Sequence, residues 1–133
     1  MSEDIEMILK NSKIVAVVGV SDKPERDSYR VAKYLSENGY EIIPVNPAIE
    51  SWNGRKAYRD LTSIPVSVDV VDVFRKPEAV PEIVDQAILK GAKVLWLQEG
   101  IQHREAEEKA RNNGLLVVSD RCMMKEHKKL MGK

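Results

Sequence analysis

The chain has 133 residues, a formal net charge of zero with 32% charged residues, and a single cysteine. That length fits one domain able to bury a core unaided, and the balanced charge argues against the polyanion-binding surface of a DNA binder. A lone thiol excludes an internal disulfide framework, no apolar run reaches membrane-spanning length, and the acidic start Met1-Ser2-Glu3-Asp4 is unlike a signal peptide, so a cytoplasmic location is expected.

Residues 3–11 read as a short helix with Ser2 as N-cap and Ile5, Ile8 and Leu9 on one side. Ile14–Val18 is a continuous apolar run, the kind of strand buried on both faces of a parallel sheet. A helix over 28–38 follows, with Val31, Ala32, Tyr34 and Leu35 marking its inward stripe and Gly39 standing where a C′ glycine belongs. Glu41–Val45 is the second strand, ended by Asn46-Pro47. After a loop through Trp52-Asn53-Gly54, the stretch 56–64 is poorly patterned; a short extended piece at Ala57-Tyr58 and a helical turn near Leu61 are expected there. Residues 66–74 alternate as a strand ending at Phe74-Arg75. Pro77 or Pro81 opens a helix to Lys90, since proline is tolerated in a first turn. Gly91 stops it, and 93–97 returns as a strand. Residues 103–113 form a helix halted by Gly114, 115–118 is the last strand, and Asp120 caps a final helix through about Leu130.

The helix–Gly–strand junction recurs at Gly39, Gly91 and Gly114, as in successive βαβ units. The expected fold is α/β: a Rossmann-like, doubly wound, parallel five-stranded sheet with helices on both faces, one domain over 1–133. The expected strand order is 3-2-1-4-5, with the flavodoxin-like 2-1-3-4-5 as the alternative.

Ligands of such sheets gather outside the carboxyl ends of the strands. The most informative of these ends is the first, where a Val-rich strand stops at Gly19, a polar loop follows, and a helix begins near Ser28. A helix start offers unpaired N–H groups and the positive end of a dipole, so this loop points to a phosphate-bearing, nucleotide-type ligand; the alternative is an ordinary βα turn. Gly19-Val20-Ser21-Asp22-Lys23-Pro24 is no GxGxxG, and Asn46-Pro47 replaces the acid expected at a dinucleotide ribose. There is no Walker-type Gly-Lys-Ser/Thr, and the first strand lacks the acidic cluster of a phosphoacceptor receiver. His103 and His127 lie far apart without a cysteine pattern, so no metal site is expected. Lys23, Arg26, Arg30, Arg75 and Lys76 can lie near the strand ends, with Arg26 best placed for bidentate contact with a phosphate. Phe74 and Val80 either flank an adenine ring or pack in the core. Asn46, forced extended by Pro47, has an amide for a ligand or for its own turn.

Four ordered blocks carry a resemblance. Gly19-x-Ser21-x-x-Pro24-x-Arg26-x-Ser28-Tyr29, Tyr40-x-x-x-Pro44-Val45-Asn46-Pro47, Val71-Asp72-Val73-Phe74-Arg75 and Asp120-Arg121-Cys122-x-x-x-Glu126-His127 resemble the small single-domain CoA-binding proteins. These in turn are similar to the N-terminal domain of the succinyl-CoA synthetase α-subunit. The resemblance implies coenzyme A as cofactor, its phosphates held by the first loop through Gly19, Val20, Ser21, Pro24, Arg26 and Ser28. It further implies that Asn46, Pro47 and the segment Phe74, Arg75, Lys76 to Val80 line the nucleotide side, and that Gln98 and Gly100 belong to a ligand-facing segment after the fourth strand. The synthetase keeps its phosphorylated histidine in a second domain and its nucleotide grip on another subunit. Neither is in this chain, so a binding protein for CoA or acyl-CoA without a catalytic set is expected. The alternatives are an NAD(P)-type enzyme needing a partner domain, and an interaction protein regulated by CoA. No nucleic-acid or membrane partner is expected, and a homodimer or protein partner stays open. Cys122, beside Arg121 at a helix start, is expected either to have a lowered thiol pKa and exchange disulfide with CoA, or to be a half-buried structural residue.

Overall fold

The computed structural model describes residues 2–132, with side chains from Asp4 onward, so the cap expected of Ser2 lies outside the described side chains. In chain order, α1 (Ser2–Asn11) leads into β1 (Ile14–Val18), α2 (Asp27–Glu37) and β2 (Glu41–Val45). A hairpin of β3 (Ser51–Trp52) and β4 (Arg55–Lys56) follows, then β5 (Val70–Val73), α3 (Val80–Lys90), β6 (Val94–Leu97), α4 (Arg104–Asn112), β7 (Leu116–Val118) and α5 (Met123–Met131). The main sheet has five parallel strands in the order β2-β1-β5-β6-β7. Ile5, Ile8, Val31, Leu35 and Met123 from α1, α2 and α5 bury one face of it, packing on Val15, Val17 and Trp96. Val84 and Ala87 of α3 and Ala106 and Ala110 of α4 bury the other, against Ala16, Val71 and Leu95. Among the described residues, no helix is long and apolar enough to cross a membrane.

Counted within this sheet the order is 2-1-3-4-5, which corrects the expected 3-2-1-4-5. The cause lies in the segment between β2 and β5. Tyr58 donates its N–H to the Pro44 carbonyl (2.9 Å) and accepts from the Asn46 N–H (2.8 Å), so the chain itself occupies the outer edge of β2. Leu61, Ile64 and Val68, all buried on the α3–α4 face, then carry it beneath the sheet to the open side of β1. Asp69 secures the arrival: its Oδ2 accepts the N–H groups of Lys13 and Ile14, each at 2.9 Å, and its own N–H donates to the Ile14 carbonyl at 3.0 Å. Replacing Asp69 by alanine strips two charge-assisted hydrogen bonds and is expected to lower stability by about 2 kcal/mol in urea titration. An unchanged midpoint would show that the β1–β5 register holds without this clasp.

Local expectations shift in identifiable ways. The strand expected over 66–74 is confined to Val70–Val73; Val66 is 44% exposed, so the valine-rich run enters the sheet only after the crossing. Asn53 and Gly54, at φ 46° and 78°, make the tight turn of the β3–β4 hairpin, and the extended piece expected at 57–58 is reduced to an isolated parallel bridge of Tyr58 to Val45. Asp120 does not cap the last helix. Its φ is 56° and its carboxylate accepts the Gly100 N–H at 2.7 Å, while Cys122 holds the cap position.

Candidate functional site

The sheet order puts its switch point between β1 and β5. The helix after β1 packs on one face, the crossing after β2 on the other, and the loops leaving β1 and β5 part to open a crevice. Gly19 sits at the neck of it. Its φ is 87°, its N–H donates to the Val45 carbonyl at 2.8 Å, and a Cβ there would lie 2.6 Å from the Phe74 carbonyl oxygen and 2.9 Å from Arg75 Cδ. Only glycine supplies both the conformation and the close approach.

Beyond Gly19 the loop is held by its own serines. Ser21 donates its N–H to the buried Ser28 Oγ at 2.9 Å, and its own Oγ accepts from the Lys23 N–H at 3.0 Å. Arg26, extended at φ −84°, occupies the N-cap position of α2 without a capping side-chain bond. The first-turn N–H groups of α2 therefore lack a side-chain cap. Asn46 ties the second loop to the first: its Nδ2 donates to the Val20 carbonyl at 2.9 Å and its Oδ1 accepts from the Ala48 N–H at 2.8 Å. Its amide serves the loops themselves, the second of the two roles open to it.

An open cleft of about 670 Å³ results, with Gly19, Ser21, Arg26, Ser28, Asn46 and Phe74 in its lining. Lys23 and Arg26 face it together with Asp22, Glu25 and Asp27, two cations against three carboxylates. Bulk positive potential is thus absent from its side chains; what the cleft offers an anion is the uncapped helix start and individual guanidinium and ammonium groups. Arg30 is turned away, paired with the Asp27 carboxylate and donating to the Glu25 carbonyl at 2.7 Å.

Two further cavities adjoin the cleft. One, of about 450 Å³, shares Asn46 and Ile49 with it and adds Pro47, Lys56, Tyr58 and Arg59. The other, of about 270 Å³, shares Asp27 and Phe74 with it and adds Val31, Gln98, Ile101, Cys122 and Met124. Behind Gln98 lies Asp72, with no exposed surface, in the middle of the sheet. Its Oδ1 accepts from Gln98 Nε2 at 2.6 Å, and its Oδ2 has no hydrogen-bond partner. Burial pushes this carboxyl up to about 7, against a smaller opposing effect of the Gln98 bond. Sequence reading passed over Asp72 as a site residue, although an acid in the run Val-Val-Asp-Val is itself the signal.

Cys122 takes the second of its two expected roles, that of a structural residue. Burial pushes its thiol pKa up, backbone N–H groups at the start of α5 oppose this, and the carboxylates of Asp72 and Glu99 raise it further. The thiolate is disfavoured, so the lowered thiol pKa expected of the helix start does not support disulfide exchange here. Cys122 is a buried wall of the smaller cavity.

The remaining site expectations separate by placement. Val20 is fully buried and meets the site only through its carbonyl; Val80 is fully buried on the α3–α4 face. Pro24, Arg75, Lys76 and Gly100 are exposed around the rim, outside the lining of these three cavities. The histidines have structural roles: His103 accepts the Ala106 N–H at 3.2 Å as cap of α4, and His127 is buried with Nδ1 2.8 Å from the Tyr34 hydroxyl.

A doubly wound parallel sheet with a switch-point cleft against the start of its first crossover helix defines a Rossmann-like domain. The chain belongs to the CoA binding domain family, which matches residues 13–128. It is 40% identical over 124 residues to the uncharacterized protein YneT of Bacillus subtilis, covering 93% of this chain and 92% of that one. Its structure superposes on a hypothetical protein from Pyrococcus horikoshii with a TM-score of 0.96 at 51% identity, covering 99% of this chain and 93% of the other. It is also 40% identical over 94 residues to the α-subunit of an ADP-forming acetate–CoA ligase from Pyrococcus furiosus. That match takes 65% of this chain but spans only 20% of the ligase subunit.

Proposed function

We propose that this chain is a binding module for coenzyme A or an acyl-CoA, with no catalytic set of its own. The observation that carries the reading is the cleft at the β1–β5 switch point, opening on an uncapped helix start in a chain of the CoA binding domain family. In this reading the pyrophosphate lies over Gly19 and the first turn of α2, where backbone N–H groups point outward and no side chain competes. Ser21 and Ser28 hold the loop in shape, and Arg26 adds a guanidinium at the cleft wall. Phe74 supplies an apolar surface at the β5 exit. The cavity beyond Asn46, with Pro47, Glu50, Lys56 and Arg59, is assigned to the adenosine end, because Lys56 there pairs with no carboxylate among the described residues and can meet a 3′-phosphate. Catalysis in the matched ligases belongs to proteins of which this chain resembles one part, so none is assigned to it.

Calorimetric titration with CoA tests this. Saturable binding is expected, and Arg26→Ala is expected to weaken it by about 1.5–3 kcal/mol if a charged hydrogen bond to phosphate is lost. Arg26 is exposed and makes no side-chain cap, so the variant's unfolding curve is expected to match the parent's. Identical titrations for parent and variant would remove Arg26 from the site, and no binding of either CoA or acetyl-CoA would refute the module itself.

A further inference from the structure

The smaller cavity has features that the phosphate cleft lacks. It adjoins the cleft through Phe74 and Asp27, and its inner wall is apolar: Val31, Ile101, Cys122 and Met124, with Val31 and Cys122 buried. The cations at its rim are matched by carboxylates. Arg30 pairs with Asp27, and Lys125 donates to Glu99 at 2.9 Å. Gln98 supplies a polar edge, its amide held by the carboxyl of Asp72 behind it. The cavity on the other side of the cleft carries Glu50, Arg59 paired with Asp60 at 3.8 Å, and Lys56, which lies over the Tyr58 ring and pairs with no carboxylate among the described residues; that end can meet a phosphate, while the smaller cavity suits an uncharged apolar group.

We infer that the cavity between α2 and the start of α5 seats the acyl end of a short, uncharged acyl thioester, so that the preferred ligand is a short-chain acyl-CoA and not free CoA. This rests on the reading of the cleft as the phosphate site. Three observations support it. Continuity with the cleft lets one extended ligand reach both places. An acyl group covering Val31, Ile101 and Met124 leaves water, while a bare thiol covers little of that surface. Size and charge then set the class. The cavity measures about 270 Å³. With about 30 Å³ to each water-sized group, it has room for a thioester and a few carbons and none for a long fatty chain. A terminal carboxylate would enter beside Glu99 and in front of Asp72 with no unpaired cation to meet it, so dicarboxylic acyl groups are disfavoured.

Calorimetry on the whole chain with CoA, acetyl-CoA, butyryl-CoA, succinyl-CoA and dodecanoyl-CoA tests this. Acetyl- and butyryl-CoA are expected to bind at least fivefold more tightly than CoA, and succinyl- and dodecanoyl-CoA at least tenfold more weakly than butyryl-CoA. Met124→Trp, at a half-buried position of the cavity wall, is expected to cost butyryl-CoA tenfold or more while CoA changes less than threefold. Ile101→Trp, in the loop opposite, is expected to do the same and guards against a folding defect in the first variant. If CoA and all four thioesters bind alike, or both fillings leave butyryl-CoA unaffected, the acyl seat is refuted while the CoA reading stands. If neither CoA nor any of the four thioesters binds, both fall.

Discussion

Replacing Gly19 by alanine is expected to destabilise the domain by on the order of 3 kcal/mol, through left-handed backbone strain and a forced separation of β1 from the β5 exit. The φ of 87° is strained for any residue with a Cβ, and that Cβ would stand 2.6 Å from the Phe74 carbonyl oxygen. Backbone cannot yield there as the end of a flexible side chain can, because Phe74 donates its N–H to the Val18 carbonyl at 2.8 Å and is pinned to β1. Urea unfolding measures the loss. The damage also reaches the cleft: moving Phe74 outward separates the two strand exits that frame it, so CoA binding is expected to fall further than the stability loss explains in a still-folded sample. A midpoint within a few tenths of a molar of the parent's would mean that the two loops are not in contact in solution.

Replacing Asp72 by asparagine is expected to stabilise the domain above neutral pH and leave it nearly unchanged in mild acid. The carboxyl is fully buried, and its pKa is raised from 3.8 to about 7. Between those values the unfolded chain has released a proton that the folded chain retains, so the folded state loses stability as pH rises from about 4 to 7 and then levels off. One pKa unit corresponds to about 1.4 kcal/mol, which makes the loss a few kcal/mol. Asparagine keeps an oxygen for the Gln98 amide and cannot ionise; its nitrogen takes the place of Oδ2, which already lacks a partner. Parent and variant are therefore expected to be alike near pH 4 and to diverge by a few kcal/mol at pH 8. Asp60 and Asp69, both lowered, titrate in both proteins and cancel in the difference. Asp60 is held down chiefly by the Ser63 hydroxyl. Asp69 is held down by the Ile14 and Lys13 N–H groups, which outweigh its burial together with Lys93. Parallel stability curves from pH 4 to 8 would show that Asp72 is ionised in the folded protein, contrary to its surroundings.

A buried acid is a cost to the fold wherever it must ionise, and asparagine removes that part of the cost while leaving one polar atom unpartnered. Its position behind Gln98, at the edge of the cavity assigned to the acyl group, gives that cost a place in the same part of the molecule as the ligand-facing surface.

The elements themselves were legible because their signals are local. Valine-rich runs between glycines have few ways to satisfy their backbone other than the interior of a parallel sheet, and Val31, Ala32 and Leu35 point α2 at that sheet by helical spacing. Gly39, Gly91 and Gly114 all have positive φ, as their positions after helices require. The family blocks around Gly19, Asn46, Phe74 and Cys122 were likewise readable, and the family they resemble is the CoA binding domain family that matches residues 13–128.

Pairing across the sheet was not legible, because β1 offers two equivalent edges and its residues do not say which neighbour takes which. The crossing of 58–70 beneath the sheet, with Tyr58 along β2 and Asp69 clasping Lys13 and Ile14, decided the order and with it the switch point. Other long-range contacts assigned the side chains that sequence left open: Asn46 to the loops, Val80 to the core, Cys122 to a cavity wall with a raised thiol pKa. Sequence thus determined the strands, the helices and the family, since periodicity and turn chemistry act within a few residues. Tertiary structure alone decided which side chains face the cleft and which carboxyl is buried, because burial and distance belong to residues far apart in the chain.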